Sequence, residues 1–415
     1  MPMTYEEALA FIHGAYGQGK KQGLANMHAL LARLGDPHKR LQALHVAGTN
    51  GKGSVCAFLQ AALRAAGYRT GLYTSPFLQR YNERMRVDGQ PIPDARLAAL
   101  TARVASAVAA LRAEGIRPTE FEIGTGIAFL YFAEEAVDFA VIEVGLGGLN
   151  DPTNVLLPRV AGIASIGLDH RRVLGDTEEA IAAQKAGIAK KNVPLLLSAQ
   201  ASPAVRAVVA ECCAQVGAGF AIAPPTDAPL GLVGDYQCYN AGLALEMLHS
   251  LRGQGVTLPE EKLLEGLRRA RWPGRLEWLL YEATPLLLDG AHNPQGATSL
   301  AAYLRTLPPS KTVLLCGVMG DKDWAGIVAA LARAADAVIA VAPDSHRALN
   351  PQTLAEAFNA YGIPARAAAS LPEGLQEARQ LAGAQGRVVA AGSLYLVGAL
   401  RTLVCGENDS LLGEA

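Results

Sequence analysis

The chain has 415 residues, of which 50% are hydrophobic and 18% charged, with 37 basic side chains against 38 acidic ones. That length and composition support large cores in two or three domains and argue against long disorder. The near-zero balance argues against a broad nucleic-acid or anionic-membrane surface and leaves room only for a local basic patch.

In chain order, the opening "MPMTYEEALAFIHG" carries early acids and no basic stretch ahead of an apolar run, so it does not read as a signal peptide. No run of about 20 uncharged apolar residues follows, so no spanning helix is expected. Cys56, Cys212, Cys213, Cys238, Cys316 and Cys405 show neither CxxC pairing nor zinc-ligand spacing. A soluble, cytoplasmic protein without disulfides is expected, with Cys212 and Cys213 in a buried stretch of helix.

Residues 41–47 ("LQALHVA") are expected to form a buried strand, and residues 54–66 a helix. Between them lies "GTNGKGS". At such a turn, exposed N–H groups and the positive end of the helix dipole hold phosphate oxygens. Gly48, Gly51 and Gly53 let the backbone approach an anion, Lys52 supplies a point charge, and Ser54 is expected to cap the helix. The spacing departs from the standard phosphate loop. Lys52 follows Gly48 by four residues, and Gly53 separates it from Ser54. Nucleotide binding is the favoured reading, against an ordinary glycine turn with an exposed lysine.

The alanine-rich run 97–115 has the periodicity of an amphipathic surface helix. "FAVIEVG", "VAGIASIG" and "VPLLLSA" read as further buried parallel strands. Glu143 sits near the carboxyl end of the first, and Asp169 and His170 follow the second. Ligands of open parallel sheets lie at that edge, so a carboxylate and a neutral imidazole there suit a divalent ion on ATP phosphates. Taken singly, each reads equally well as a structural residue. Lys185 in "AAQKAGIAK" reads, on composition alone, as a solvated helix lysine.

A second alternation of strands and helices runs through "TPLLLDGAHNP", "KTVLLCGVMGD", "DAVIAVAP" and "GRVVAAGS". The fold class expected is therefore α/β: a phosphate-loop domain with a mostly parallel sheet over residues 1–272, and a smaller Rossmann-like domain over 277–415. Pro273 and Gly274 of "RWPGRLEW" mark a hinge at 273–276.

These pieces, in this order, resemble the folylpolyglutamate synthase and dihydrofolate synthase family, relatives of the Mur ligases. The likeness is carried by "HVAGTNGKGS", "YTSPFLQRYNERMRVDG", "TEFEIGT", "EVGLGGLNDPTN", "SIGLDHRRVLGDTEEAIAAQKAGI", "RWPGRLEW", "LDGAHNP", "GVMGDKD" and "GSLYLVG". It spans nearly the whole chain, and the loop of that family departs from the standard template in the same way. The resemblance implies an ATP-dependent amide ligase that adds L-glutamate to a folate, and to dihydropteroate in bifunctional members, through an acyl phosphate. Gly51, Lys52, Gly53 and Ser54 would cradle ATP phosphates. Ser75, Glu143 and His170 would ligate Mg²⁺, and Lys185, carbamylated, would serve a second Mg²⁺ site. Asn240 would reach the adenine end, Arg275 the phosphates and Asp289 the nucleotide. Lys52, Lys185, His170 and Arg275 are the expected catalytic residues. His292 and Ser393 would face substrate, with three loops: Gln22, Gly23 and Leu24; Thr119, Glu120, Phe121 and Glu122; and Asn150, Asp151 and Pro152.

The chain departs from the family pattern at Phe77 (a common histidine), Leu149 (arginine), Pro152 (alanine), Gln184 (glutamate) and Tyr236 (histidine). Competing readings are a monofunctional folylpolyglutamate synthase, a Mur-type ligase for another carboxylate, and a regulatory ATPase that forms no bond. Small-molecule substrates, no nucleic acid, no membrane and a monomer are expected.

Overall fold

The computed structural model describes residues 2–16 and 23–406, so Gln22 lies outside the described residues. The first sheet contains β1 (Ala43–Ala47), β2 (Thr70–Tyr73), β3 (Met85–Val87), β4 (Gln90–Pro91), β5 (Phe139–Glu143), β6 (Val160–Ile163), β7 (Pro194–Ser198) and β8 (Gly219–Ala223). Their order is β4-β3-β2-β5-β1-β6-β7-β8, parallel from β2 to β8, with β3 and β4 antiparallel at one edge. The central strands are apolar on both faces, as a parallel sheet between helix layers requires. Val141 packs with Phe58, Leu59 and Met247 beneath the helices Lys52–Ala65 and Gln237–Gly253. Ala140 and Ile142, pointing the other way, pack with Ile123, Ile127 and Phe129 of the helix Glu120–Glu134. Each fully buried side chain of this kind contributes about 1.5–3 kcal/mol. The helix Glu260–Arg269 docks where Gly266 meets Ala62; a Cβ there would come within 2.3 Å of the Ala62 Cα, so Gly266→Ala would push the two helices apart.

The second sheet contains β9 (Glu277–Tyr281), β10 (Thr284–Leu288), β11 (Thr312–Cys316), β12 (Ala337–Ala340), β13 (Ala365–Ala367) and β14 (Arg387–Ala391). The order is β13-β12-β11-β14-β10-β9, parallel except for β9, which pairs antiparallel with β10. The α/β class and mostly parallel sheets expected from the sequence are present. The helix Asp94–Ala113 covers the alanine-rich run, and Cys213 is buried while Cys212 is only partly so. Among the described residues, no helix is long and apolar enough to cross a membrane.

Besides the cleft, the two halves meet at the helix Leu394–Cys405. Gly398 lies against the carbonyl of Leu78, where a Cβ would come within 1.8 Å. The buried Arg401 donates from Nε to Glu277 Oε1 at 3.0 Å and also bonds Gln79.

Candidate active site

Strands β1, β2, β5 and β6 of one sheet and β10, β11 and β14 of the other deliver the residues after their carboxyl ends to one cavity of about 460 Å³. This is the edge at which open α/β sheets bind ligands.

At the end of β1, Gly51 takes φ 86° and is the N-cap of the helix Lys52–Ala65, with no side chain capping it. The expectation that Ser54 caps this helix is corrected. Glycine's access to positive φ lets the chain turn sharply, so the helix starts two residues early and Ser54 falls inside its first turn. Ser54 is buried and its hydroxyl accepts from Gln237 Nε2 at 3.2 Å; Gln237 Oε1 in turn accepts from Asn240 Nδ2 at 2.9 Å. A Cβ on Gly51 would lie 2.3 Å from Asn240 Oδ1. Ser54 and Asn240 thus support the loop from behind, whereas Gly51, Lys52 and Gly53 line the cavity.

The Lys52 ammonium donates to the Gly48 and Thr49 carbonyls at 3.1 and 3.2 Å and stands 3.9 Å from Glu143 Oε1. Glu143 ends β5, is 5% exposed, and accepts from the Ser75 amide at 3.1 Å. Burial pushes its carboxyl up, opposed by Lys52, the Ser75 amide and Arg275.

Lys185 is not the solvated lysine that its composition suggests. It is 3% exposed and donates from Nζ to the Gly48 carbonyl at 2.9 Å. Burial, and then the charge of Lys52, lower its pKa to about 7.

Beyond β6, the Lys322 ammonium donates to Asp169 Oδ1 at 2.7 Å and lies 3.4 Å from His170 Nε2. Burial works against the Asp169 carboxylate, but Lys322 holds it well below the usual range. An ammonium can only donate, so His170 Nε2 is the acceptor and the imidazole is neutral. Burial and then Lys322 lower the His170 pKa accordingly. The lone pair that a metal would use is therefore on Nε2, where Lys322 faces it in this arrangement and would have to give way to an ion.

From the 273–276 segment ahead of β9, Arg275 lines the cavity. Asp289 does not line it. Its two carboxylate oxygens accept the Leu276 amide at 3.0 Å and the Ala291 amide at 2.9 Å, so it fastens the 273–276 segment to the end of β10. His292 Nδ1 donates to the Gly290 carbonyl at 2.8 Å, and Ser393 caps its helix through the Tyr395 amide at 3.1 Å; both line the cavity.

Of the three loops expected to face substrate, Gly23, Thr119, Phe121 and Glu122 line the cavity, as do Asn150, Asp151 and Pro152. Leu24 sits outside it at the start of the helix Ala25–Arg33, and Glu120 pairs with His13 at 3.0 Å. Phe121 presses on Gly145, where a Cβ would lie 2.4 Å from the ring.

Ser75, Glu143, His170 and Lys185 all line this cavity, although no cage of three or more His, Cys, Asp or Glu converges among the described residues. A hydroxyl, a carboxylate and a neutral imidazole are nevertheless a set that suits Mg²⁺, which keeps waters and phosphate oxygens as its remaining ligands.

Sequence reasoning missed the residues that join the two halves. Asn50 donates to Asn293 Oδ1 at 3.2 Å and Gln295 Oε1 at 2.7 Å; Asn293 donates back to Asn50 Oδ1 at 3.0 Å and to Asp169 Oδ2 at 3.2 Å. The Asn-Pro pair at 293–294 is a helix-start signal, and Asn293 does cap the helix Pro294–Thr306; its second role across the cleft has no sequence signal. Arg84 and Arg347 also line the cavity.

Residues 274–394 match the family described as Mur ligase, glutamate ligase domain. The dihydrofolate synthase/folylpolyglutamate synthase of Bacillus subtilis is 36% identical over 427 aligned residues, covering 96% of this chain and 98% of that protein. A Mycobacterium tuberculosis folylpolyglutamate synthase complexed with ADP superposes with a TM-score of 0.89 at 31% identity, covering 97% of this chain and 98% of that one. The bifunctional enzyme of Yersinia pestis complexed with AMPPNP and a manganese ion does so with a TM-score of 0.86 at 30% identity, covering 96% and 98%. Sharing both sequence and fold with these proteins over almost its full length, the chain belongs to the folylpolyglutamate synthase/dihydrofolate synthase family, within the Mur ligases.

Proposed function

We propose that the chain is an ATP-dependent ligase that joins L-glutamate to the carboxylate of a folate, and to dihydropteroate as a second substrate. One observation carries this reading: a nucleotide loop, a buried acid and a buried lysine of the first half line one cavity together with Arg275 of the 273–276 segment and His292, Lys322 and Ser393 of the second half. A switch ATPase needs the loop but not the second sheet's contribution.

The γ-phosphoryl group passes to the substrate carboxylate, giving an acyl phosphate and ADP. The glutamate amine then attacks the acyl carbon and expels phosphate. Little covalent work falls to the protein, so positioning and charge neutralisation dominate. The amides at Gly51–Gly53 and the Lys52 ammonium hold the nucleotide phosphates, and Arg275 meets them from the opposite side. Ser75, Glu143 and His170 would hold Mg²⁺, which supplies charge neutralisation at the transferring phosphate. Lys185, an amine with a pKa near 7, has the neutral fraction that addition to CO₂ requires. As a carbamate it would be an anion suited to a second divalent ion.

The Asn50–Asn293 and Lys322–Asp169 bonds support closure of residues 277–406 onto the nucleotide domain about the 273–276 hinge, which shields the acyl phosphate from water. Cys56, Cys213 and Cys316, buried as thiols, support a cytoplasmic location. The test is phosphate release with ATP and Mg²⁺. Release that needs both glutamate and either tetrahydrofolate or dihydropteroate, with the matching amide found by mass spectrometry, supports the ligase. Release indifferent to both would refute it.

A further inference from the structure

The loop 145–155 carries Asn150, Asp151 and Pro152 into the cavity, and it is held from behind by a residue that the chemistry above does not use. His45 lies in the middle of β1 and is 0% exposed. Its Nε2 is 2.8 Å from Thr153 Oγ1, and the Thr153 hydroxyl donates to Asp151 Oδ1 at 2.5 Å. The same oxygen accepts the Thr153 amide at 3.1 Å, and Oδ2 accepts the Leu146 amide at 2.8 Å. A carboxylate surrounded by donors can only accept, so the single Thr153 proton is committed to Asp151. Thr153 must then accept from His45, which fixes the proton on Nε2.

The other ring nitrogen, Nδ1, is buried without a partner. Burial lowers the His45 pKa to about 3, so the ring stays neutral at any working pH. A half-satisfied imidazole at the centre of a parallel sheet is costlier than the valine or isoleucine that neighbouring positions carry. Its one bond is what offsets that cost, and it leads to the cavity-facing loop.

We infer that His45 is a positioning residue for the carboxylate substrate: through Thr153 it fixes the direction of Asp151 and the path of the loop 145–155. The inference rests on the proposed function for the identity of the substrate. His45 touches no reacting atom. It is anchored to the strand that ends in the nucleotide loop, so the substrate loop is referenced directly to the phosphate site. On its other side the loop rests on the Lys185 helix, with the Leu149 amide donating to the Gln184 carbonyl at 2.8 Å and Asn154 Nδ2 to the Gly187 carbonyl at 3.0 Å.

The test measures dissociation constants for dihydropteroate, tetrahydrofolate and ATP, with kcat, in His45→Leu, His45→Gln and Thr153→Val. Glutamine places an N–H near the position of Nε2; leucine and valine remove the bond. Losing one buried hydrogen bond of this kind predicts about a tenfold weaker grip on the carboxylate substrate in His45→Leu. Thr153→Val, which also removes the Thr153–Asp151 bond, should weaken it at least as much, and His45→Gln should stay within about threefold, ATP affinity being unchanged in all three. Thr153→Val probes the same bond should His45→Leu fail to fold. The role is overturned if ATP affinity falls as much as substrate affinity, if glutamine behaves like leucine, or if neither variant weakens substrate binding. Wild-type turnover is followed in parallel. Substrate binding without turnover would refute the proposed ligase yet leave the His45 result readable, and a wild type that binds neither carboxylate would overturn both.

Discussion

The Lys185 ammonium nitrogen lies 2.9 Å from the carbonyl oxygen of Gly48, so a lysine 137 positions downstream is anchored to the first residue of the nucleotide loop. Lys52 reaches the same carbonyl at 3.1 Å. Burial, and then the charge of Lys52, disfavour the protonated form of Lys185.

That arrangement makes Lys185 activity pH-sensitive. The unfolded chain keeps it protonated up to about 10.5, whereas the fold keeps it neutral down to about pH 7. Between those values the unfolded state binds the extra proton, so this group's contribution to stability rises with pH from about 7 towards 10.5. Lys185→Met should abolish that rise in Tm across the window. If Lys185 is carbamylated, ¹³C-bicarbonate should give a carbamate NMR signal that is absent from Lys185→Met and weakens below pH 7. A signal unchanged in the variant would sink this role.

Lys52→Met should lower kcat by about 100-fold or more while leaving Tm within a few degrees, because charge aimed at a transferring phosphoryl group is realised in the transition state. Steady-state kinetics and a melting curve decide this. A change confined to KM would mean that Lys52 only binds.

Gly51→Ala tests the loop's geometry. The substitution meets both a positive φ of 86° and the Asn240 side chain at 2.3 Å. Gly35 has a φ of 78° with nothing within 4 Å, so Gly35→Ala isolates the backbone strain alone. Strain should cost about 1 kcal/mol in each, and only Gly51→Ala should also lose ATP affinity. Calorimetric titration with ATP separates the two, and equal ATP binding in both variants would show that Asn240 does not set the loop.

Local signals decide which of these features the sequence makes legible. Glu143 stands at the end of an apolar run, which is why its place on the sheet edge could be read. The hairpin β9–β10 could not, because its two turn residues, Glu282 and Ala283, take φ 45° and 65° without the Asn-Gly or Asp-Gly pair that normally marks such a turn. Lys185 reads as solvated in the sequence because composition gives no hint of what packs over a helix. Asn50 and Asn293 are 243 positions apart, and no periodicity reports a bond across two domains.

Those cross-cleft bonds give the closure its test. Lys322→Ala leaves the Asp169 carboxylate, 10% exposed, without its cation. A partly buried pair broken on one side should lower kcat/KM by about 10- to 100-fold. Asn50→Ala should act in the same direction more weakly. Small-angle scattering with nucleotide and substrates should show a larger radius of gyration in both. Unchanged kinetics in Lys322→Ala and in Arg275→Ala would remove the case for closure.

The most direct measurement uses a folate whose terminal carboxylate is labelled with ¹⁸O. If that carboxylate attacks the γ-phosphate and glutamate then displaces phosphate, one labelled oxygen leaves in the phosphate released per amide formed. Phosphate carrying no ¹⁸O, with amide still produced, would contradict the acyl-phosphate route.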